Sequence, residues 1–232
     1  MKLSIIIPVY NEKNTIKELL KRIDAVDLGK VSKEIILVDD FSTDGSRDIL
    51  RKLPEKYAVV FQPKNMGKGA ALKAGIVKST GDWIIFQDAD LEYDPNDYKK
   101  LLQPVLDGKA KITFGTRFAG QEFVLFGKNK TIHTTHWFGN KMLTIAFNIL
   151  YGTKLTDVEP CYKLFDAKIL KSIPVKTDRF EYDIELMCKL VRKGHTIMQL
   201  PISYKPRKFE EGKKINWKDG IIALRTMIRF RF

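Results

Sequence analysis

Two carboxylates stand two residues apart in Gln87-Asp88-Ala89-Asp90-Leu91, directly after the apolar run Trp83-Ile84-Ile85-Phe86. That run is short, aromatic and β-branched, and it predicts a buried strand. In extended backbone, side chains two apart point to the same side. Asp88 and Asp90 could therefore meet one divalent cation. Hard oxygen donors at the carboxyl end of a buried strand suit Mg²⁺ or Mn²⁺ shared with substrate phosphates. The competing reading is a polar turn after a strand, because Asp is a common turn residue. An isolated Asp-x-Asp does not separate the two.

Other predicted strands end in comparable chemistry. The first runs into Pro8-Val9-Tyr10-Asn11-Glu12, and the second into Asp39-Asp40-Phe41-Ser42-Thr43-Asp44-Gly45-Ser46. A carboxylate at Asp39 or Asp40 can accept from a base N–H or a ribose hydroxyl. Asp44 or Ser46 is better placed to start the next helix. Gly67-Lys68-Gly69 is too short for a phosphate-cradling P-loop. It predicts a tight turn whose backbone approaches a ligand, with Lys68 as a point charge, or an ordinary helix start. A dinucleotide-binding domain needs a Gly-rich turn after its first strand, and Pro8–Glu12 has none.

The elements that must position these groups alternate. Strands are predicted at 2–9, 34–39, 58–62 and 83–87, and helices at 14–26, 46–53, 68–79 and 96–106. Four β-α repeats predict an α/β fold with a mostly parallel sheet flanked by helices, its functional loops at the carboxyl ends of the strands. The second half is less regular. It has strands at 111–116, 163–165 and 196–204 (edge or bulged, because of Pro201) and helices at 131–151, 167–172, 182–193 and 217–232. At 232 residues the chain predicts one domain. An apolar fraction of 44% suffices for a core. No run reaches the ~18 apolar residues that span a bilayer, and Met1-Lys2 leads into no signal-peptide core. Cys161 and Cys188 are isolated and predict core residues in a reducing compartment.

The net charge of +13 is clustered. Residues 123–154 hold four Lys and no acid, and residues 204–232 hold nine Lys/Arg against three acids. Such clusters call for a polyanionic partner: nucleic acid, an acidic membrane surface or a phosphorylated substrate. A Lys-rich solvated surface is the plain alternative.

The motifs Ile6-Ile7-Pro8-Val9-Tyr10-Asn11-Glu12, Val38-Asp39-Asp40-Phe41-Ser42-Thr43-Asp44-Gly45-Ser46, Asn65-x-Gly67-Lys68-Gly69 and Asp88-Ala89-Asp90 together resemble the family 2 glycosyltransferases of GT-A fold. Gly115-Thr116-Arg117-Phe118, His136-x-x-Gly139-Asn140, Thr156-Asp157-Val158-Glu159-Pro160-Cys161-Tyr162-Lys163 and Pro206-Arg207-x-x-Glu210-Glu211-Gly212-Lys213-Lys214-Ile215-x-Trp217 look like its dolichol-phosphate mannose synthase branch. Pro160 departs from the Thr often found there. The resemblance implies transfer of a hexose from a GDP- or UDP-linked donor to a polyprenyl phosphate. It implies one catalytic domain over 1–232, with a nucleotide-binding half to about residue 116 and an acceptor-binding half beyond it.

By the same resemblance, Pro8, Tyr10, Glu12, Asp39 and, less directly, Asp40 hold the nucleotide with Lys68. Asp88 and Asp90 hold the metal, with Glu92 where some synthases carry Gln. A phosphate monoester acceptor is already an anion and needs positioning rather than a general base. Arg117, His136, Arg207, Lys213 and Lys214 are the cations for that task, the arginines best because guanidinium binds phosphate bidentately. Asp157 or Glu159 would serve as base for a hydroxyl acceptor and would otherwise pair with Lys or Arg. His133 and His195 read as structural or surface residues.

The last predicted helix places Trp217, Ile221, Leu224 and Ile228 on one face and Lys218, Arg225 and Arg229 on the other. This predicts a peripheral protein on the cytoplasmic face of an anionic membrane, unless the apolar stripe packs on the core. The rivals are a soluble glycosyltransferase with a hydroxyl acceptor, a nucleotidyltransferase, and a basic nucleic-acid-binding module. The last lacks any matching motif, and no nucleic-acid partner is expected.

Overall fold

Lys2–Val9 forms β1, and its period-two pattern sends Leu3, Ile5, Ile7 and Val9 into a core on one face of the sheet and Ile6 into a core on the other. The computed structural model describes residues 1–118, 134–207 and 217–232. The repeats continue as α1 (Ile16–Ala25), β2 (Ser32–Asp39), α2 (Ser46–Arg51), β3 (Tyr57–Phe61), α3 (Lys68–Lys78), β4 (Trp83–Phe86) and α4 (Tyr98–Leu106). They are followed by β5 (Ile112–Thr116), α5 (Thr134–Tyr151), β6 (Lys163–Asp166), α6 (Ala167–Lys171), α7 (Glu181–Arg192), β7 (Met198–Pro201) and α8 (Trp217–Arg231). Helix α1 buries Ile16, Leu19, Leu20 and Ile23, the stripe its periodicity predicts. Gly194, at φ 78°, ends α7 as a left-handed C-terminal residue.

The strands order as β3-β2-β1-β4-β6-β5-β7. Pairs β3/β2, β2/β1, β1/β4 and β5/β7 are parallel, and β6 is antiparallel to both neighbours. Pro201 is the last residue of the edge strand β7, where a missing N–H costs least. The reversal of β6 matters for the site. Leu164 pairs with Ile85, so β6 begins beside the end of β4. The loop before β6 therefore arrives at the same edge as the loops that leave the parallel strands.

Helix α8 does not bury its large apolar stripe. It docks through Ala223, Thr226 and Met227, while Ile221, Leu224 and Ile228 stay exposed. Backbone capping fixes this rotation: Tyr151 donates its hydroxyl to the Met227 carbonyl at 2.7 Å, and Arg192 donates to the Phe230 carbonyl at 2.8 Å. The side chains of Trp217 and Lys218 lie outside the described residues.

Candidate active site

The carboxyl-end loops are stitched to one another before any ligand is considered. Asn11 donates its N–H to Ser42 Oγ at 3.0 Å, and Thr43 donates to Asn11 Oδ1 at 2.8 Å. Asp44 accepts from Ser46 N–H at 2.9 Å and from Lys13 N–H at 3.1 Å, which is the turn work its position predicts. Tyr10 and Phe41 stand exposed on these joined loops.

The two aspartates that end β2 divide their tasks. Asp40 accepts from Met66 N–H at 2.7 Å and Gly67 N–H at 2.8 Å, so it ties β2 to the loop before α3. Asp39 is fully buried. Its Oδ1 accepts from Ser42 N–H at 3.2 Å, its Oδ2 has no hydrogen-bond partner, and Arg47 Nε lies 3.5 Å away. An orphaned carboxylate oxygen in a buried strand end is an open acceptor for a ligand N–H. Pro8 lies two residues before Tyr10 at the end of β1.

Gly67 and Gly69 open α3, the ordinary helix start that the sequence also allowed, and both are closely packed. A Cβ on Gly67, at φ 100°, would stand 2.6 Å from the Asp178 carbonyl oxygen. One on Gly69 would stand 2.6 Å from Tyr182 Cβ. The start of α3 is thus pressed against residues 178–182, and this aims Lys68 inward. Lys68 Nζ sits 2.7 Å from Asp88 and 4.0 Å from Asp183, and Asp183 in turn pairs with the buried Lys163 at 2.7 Å.

Asp90 faces a different cation. Arg207 Nη2 lies 3.0 Å from both Glu12 and Asp90, and its Nε lies 3.8 Å from Glu92. Glu92 also accepts from Arg207 N–H at 3.0 Å and from Tyr204 hydroxyl at 3.0 Å. The four carboxylates Glu12, Asp88, Asp90 and Glu92 thus gather around two cations, Lys68 and Arg207. Burial first, then the charges of Asp88 and Glu92, push the Asp90 carboxyl up to about 7. Burial opposes ionisation of Asp88 most strongly, but the charge and hydrogen bond of Lys68, with Cys161 and Lys163, together outweigh it and hold that carboxyl low. Among the described residues no three acidic, His or Cys groups already converge on one point at metal distance. The donor set still fits a hard divalent cation: two strand-end carboxylates, partly solvent-accessible, in a pocket with surplus negative charge. Glu92 would have to leave Tyr204 to join them.

The acceptor-side residues form a second cluster. Arg117 grips Asp157 bidentately, Nε to Oδ2 at 2.8 Å and Nη2 to Oδ1 at 2.9 Å, and the Arg117 N–H adds a third bond at 3.1 Å. Asn140 on α5 lies against both, its amide oxygen 2.6 Å from Arg117 Nη2. Asp157 is fully buried, and both of its oxygens are engaged. It holds Arg117 and has no oxygen to spare as a base. Glu159 differs. Burial pushes its carboxyl up to about 7 despite the opposing charges of Lys163 and Arg117. The His136 side chain, His133, Lys213 and Lys214 lie outside the described residues. Sequence reasoning missed Arg47, Asn140, Tyr204 and the whole buried polar set under Asp88. Asn140 carried a signal inside the His136-x-x-Gly139-Asn140 motif, and Gln87, Cys161 and Tyr162 carried one inside the motifs around Asp88 and Asp157.

Known proteins resemble this chain in sequence and in fold. The chain is 28% identical over 227 residues, 97% of its length, to the low-salt glycan biosynthesis hexosyltransferase Agl6 of Haloferax volcanii, of which it covers 53%. It is 36% identical over 120 residues to the dolichol-phosphate mannosyltransferase of Pyrococcus furiosus, covering 51% of this chain and 34% of that protein. The chain therefore spans about half or less of these relatives' length. Glucosyl-3-phosphoglycerate synthase of Mycobacterium tuberculosis, solved with Mn²⁺, uridine diphosphate and phosphoglyceric acid, superposes with a TM-score of 0.75 at 19% identity. That match covers 99% of this chain and 78% of the synthase, and it establishes a GT-A-like α/β fold. The glycosyl transferase family 2 model matches residues 4–173, and the chain belongs to that family.

Proposed function

We propose that this chain moves a hexose, with inversion, from a nucleotide diphosphate sugar to a polyprenyl phosphate at the surface of an anionic membrane, with Mg²⁺ or Mn²⁺ on Asp88 and Asp90. One observation carries the acceptor class. Helix α5 touches the Arg117–Asp157 pair through Asn140, and on its open side it exposes Phe138, Met142, Ile145 and Ile149, one stripe at helical spacing. A charged clamp that adjoins an apolar surface suits an acceptor with a phosphate head and a hydrocarbon tail. The exposed stripe of α8 and its basic neighbours Arg225 and Arg229 extend the same character. The name of the Pyrococcus relative supports a lipid phosphate.

Donor roles follow from placement. Asp39 Oδ2 accepts a base N–H, which uracil and guanine both present. Tyr10 and Phe41 flank the base, Lys68 turns from the carboxylates to the diphosphate, and Arg207 serves the diphosphate or the acceptor phosphate. The cation, when bound, neutralises charge that develops on the leaving diphosphate. Arg117 orients the acceptor phosphate, and Asp157 fixes Arg117. Residues up to about 116 form the nucleotide half and those beyond it the acceptor half. His136, Lys213 and Lys214 remain assigned to the acceptor, and the cytoplasmic membrane face to the whole protein. No described helix is long and apolar enough to cross a membrane.

Liposome flotation tests this reading. The chain should float with anionic vesicles at low salt and less at high salt. Truncation before Trp217, or Ile145→Asp with Ile149→Asp, should weaken flotation. A chain that stays at the bottom with anionic vesicles at low salt overturns the membrane reading.

A second reading is favoured by Glu159: a carboxyl poised near 7 is suited to deprotonate a sugar hydroxyl. Glu159→Gln separates the two. With a phosphate acceptor, turnover should stay within about tenfold of wild type; a base-dependent reaction would fall by roughly 10²–10⁴. Stability gives an independent check. Glu159 binds its proton more tightly folded than unfolded, so its stabilisation is present below pH 4.5 and is lost as pH rises through about 7. Glu159→Gln should therefore melt higher than wild type at pH 8, with the gap closing towards pH 4.5.

A further inference from the structure

Asp88 is held by its backbone, not by the sheet. Gln87 still donates its N–H to the Ile6 carbonyl of β1 at 3.0 Å. One residue later the ladder has ended, and side chains take over. The Asp88 N–H donates to Cys161 Sγ at 3.0 Å, and the Asp88 carbonyl accepts from Gln87 Nε2 at 2.8 Å. Both polar atoms of this peptide group are thus gripped from the interior.

The two gripping side chains are themselves fixed. Gln87 is fully buried, and its Oε1 accepts from Tyr98 hydroxyl at 2.5 Å and from Tyr162 hydroxyl at 2.7 Å. Cys161 donates its backbone N–H to Tyr93 hydroxyl at 3.1 Å. The rings of Tyr93 and Tyr98 lie 5.0 and 5.4 Å from Tyr162, so the hydroxyls converge from a packed aromatic block. That block joins α4, the loop after β4 and the loop before β6. A buried amide and three buried phenols are costly unless every partner is made, and an apolar side chain would fill the same space. The set makes sense if its product is the orientation of Asp88.

We propose that Gln87 and Cys161 are positioning residues that set the direction of the Asp88 carboxylate towards the divalent cation, with Tyr98 and Tyr162 locking Gln87. This rests on the reading of Asp88 as a metal carboxylate. The partners behind a metal ligand typically contribute about 10- to 100-fold in metal affinity.

The test is Mn²⁺ titration of full-length protein with UDP or GDP present, read by the signal of free Mn²⁺, beside thermal melting in EDTA. Gln87→Met and Cys161→Ala should each weaken Mn²⁺ binding by about 10- to 100-fold. Cys161→Ser, whose hydroxyl can still accept from Asp88 N–H, should recover to within about threefold of wild type. Nucleotide binding in EDTA should not change. At saturating Mn²⁺, kcat should fall more than the donor KM rises. If Gln87→Met does not fold, Tyr98→Phe with Tyr162→Phe, which removes the lock and leaves Gln87, should show the same loss. Variants that melt lower yet bind Mn²⁺ as wild type does overturn the inference alone and leave a packing role. A wild-type protein that binds no Mn²⁺ with either nucleotide overturns the metal reading, and this inference with it.

Discussion

Asp90→Asn is expected to lower turnover roughly a thousandfold while the fold survives, because a metal that stabilises leaving-group charge supplies several kcal/mol and each 1.36 kcal/mol is tenfold in rate. The fold should survive because metal-free Asp90 is an electrostatic liability. Its carboxyl is pushed up to about 7 by burial and by the neighbouring charges of Asp88 and Glu92. The folded state therefore binds this proton more tightly than the unfolded chain. The stabilisation is present below pH 3.8 and is lost as pH rises through about 7. An amide cannot ionise and escapes that loss. In EDTA, Asp90→Asn should melt at or above wild type at pH 8, and the difference should shrink towards pH 4. Arg207 keeps Glu12 as a partner in the variant. Full turnover in Asp90→Asn, or in wild type stripped by EDTA, would sink the metal assignment. A large drop in melting temperature at pH 8 would instead attribute the lost activity to unfolding.

The sequence revealed most of the first half because its physics is local. Period-two and period-3.6 patterns are written in β1 and α1, and residues at strand ends in a parallel sheet must share one edge. The reversal of β6 was invisible, since a four-residue apolar run carries no direction. That reversal brings Asp157 and Glu159 to the edge. Without it the two carboxylates had equal standing as bases, and only the bidentate Arg117 contact separates them. Gly67 and Gly69 left two readings open for a similar reason. A Gly pair before a helix signals close approach, but not by what, and here the approaching atoms belong to residues 178–182.

Amphipathic reasoning offered the stripe of Ile221, Leu224 and Ile228 to a membrane surface unless it packed on the core, and α8 leaves those three residues exposed. The contact is made through Ala223 and Met227, because a small residue lets α8 lie close to α5 and α7 and the carbonyls of its last turns find Tyr151 and Arg192. What remains outside is an apolar stripe that the fold does not use.

Breaking the Arg117–Asp157 pair should have the largest effect on stability. Asp157 is fully buried and the Arg117 side chain is 14% exposed. Removing one partner of a buried pair strands the other charge away from water and costs about 3–5 kcal/mol. For a chain of this size that corresponds to a melting temperature about 6–20 °C lower. Asp157→Ala should show the larger loss, since Arg117 Nε and Nη2 lose both carboxylate oxygens at once. Arg117→Ala should be milder, because Asp157 keeps the Arg117 and Glu159 N–H groups, at 3.1 and 3.2 Å. Arg117→Met with Asp157→Leu removes both charges and should recover much of the stability lost in Asp157→Ala. The same double variant should still fail with a phosphate acceptor, because the guanidinium is gone. Urea unfolding of wild type, Arg117→Met, Asp157→Leu and their double variant gives the coupling, and acceptor titration gives the function. If the double variant is as unstable as Asp157→Ala, the cavity rather than the stranded charge sets the cost. If it transfers sugar at the wild-type rate, Arg117 does not serve the acceptor, and the phosphate must be met by Arg207 alone among the described arginines proposed for it.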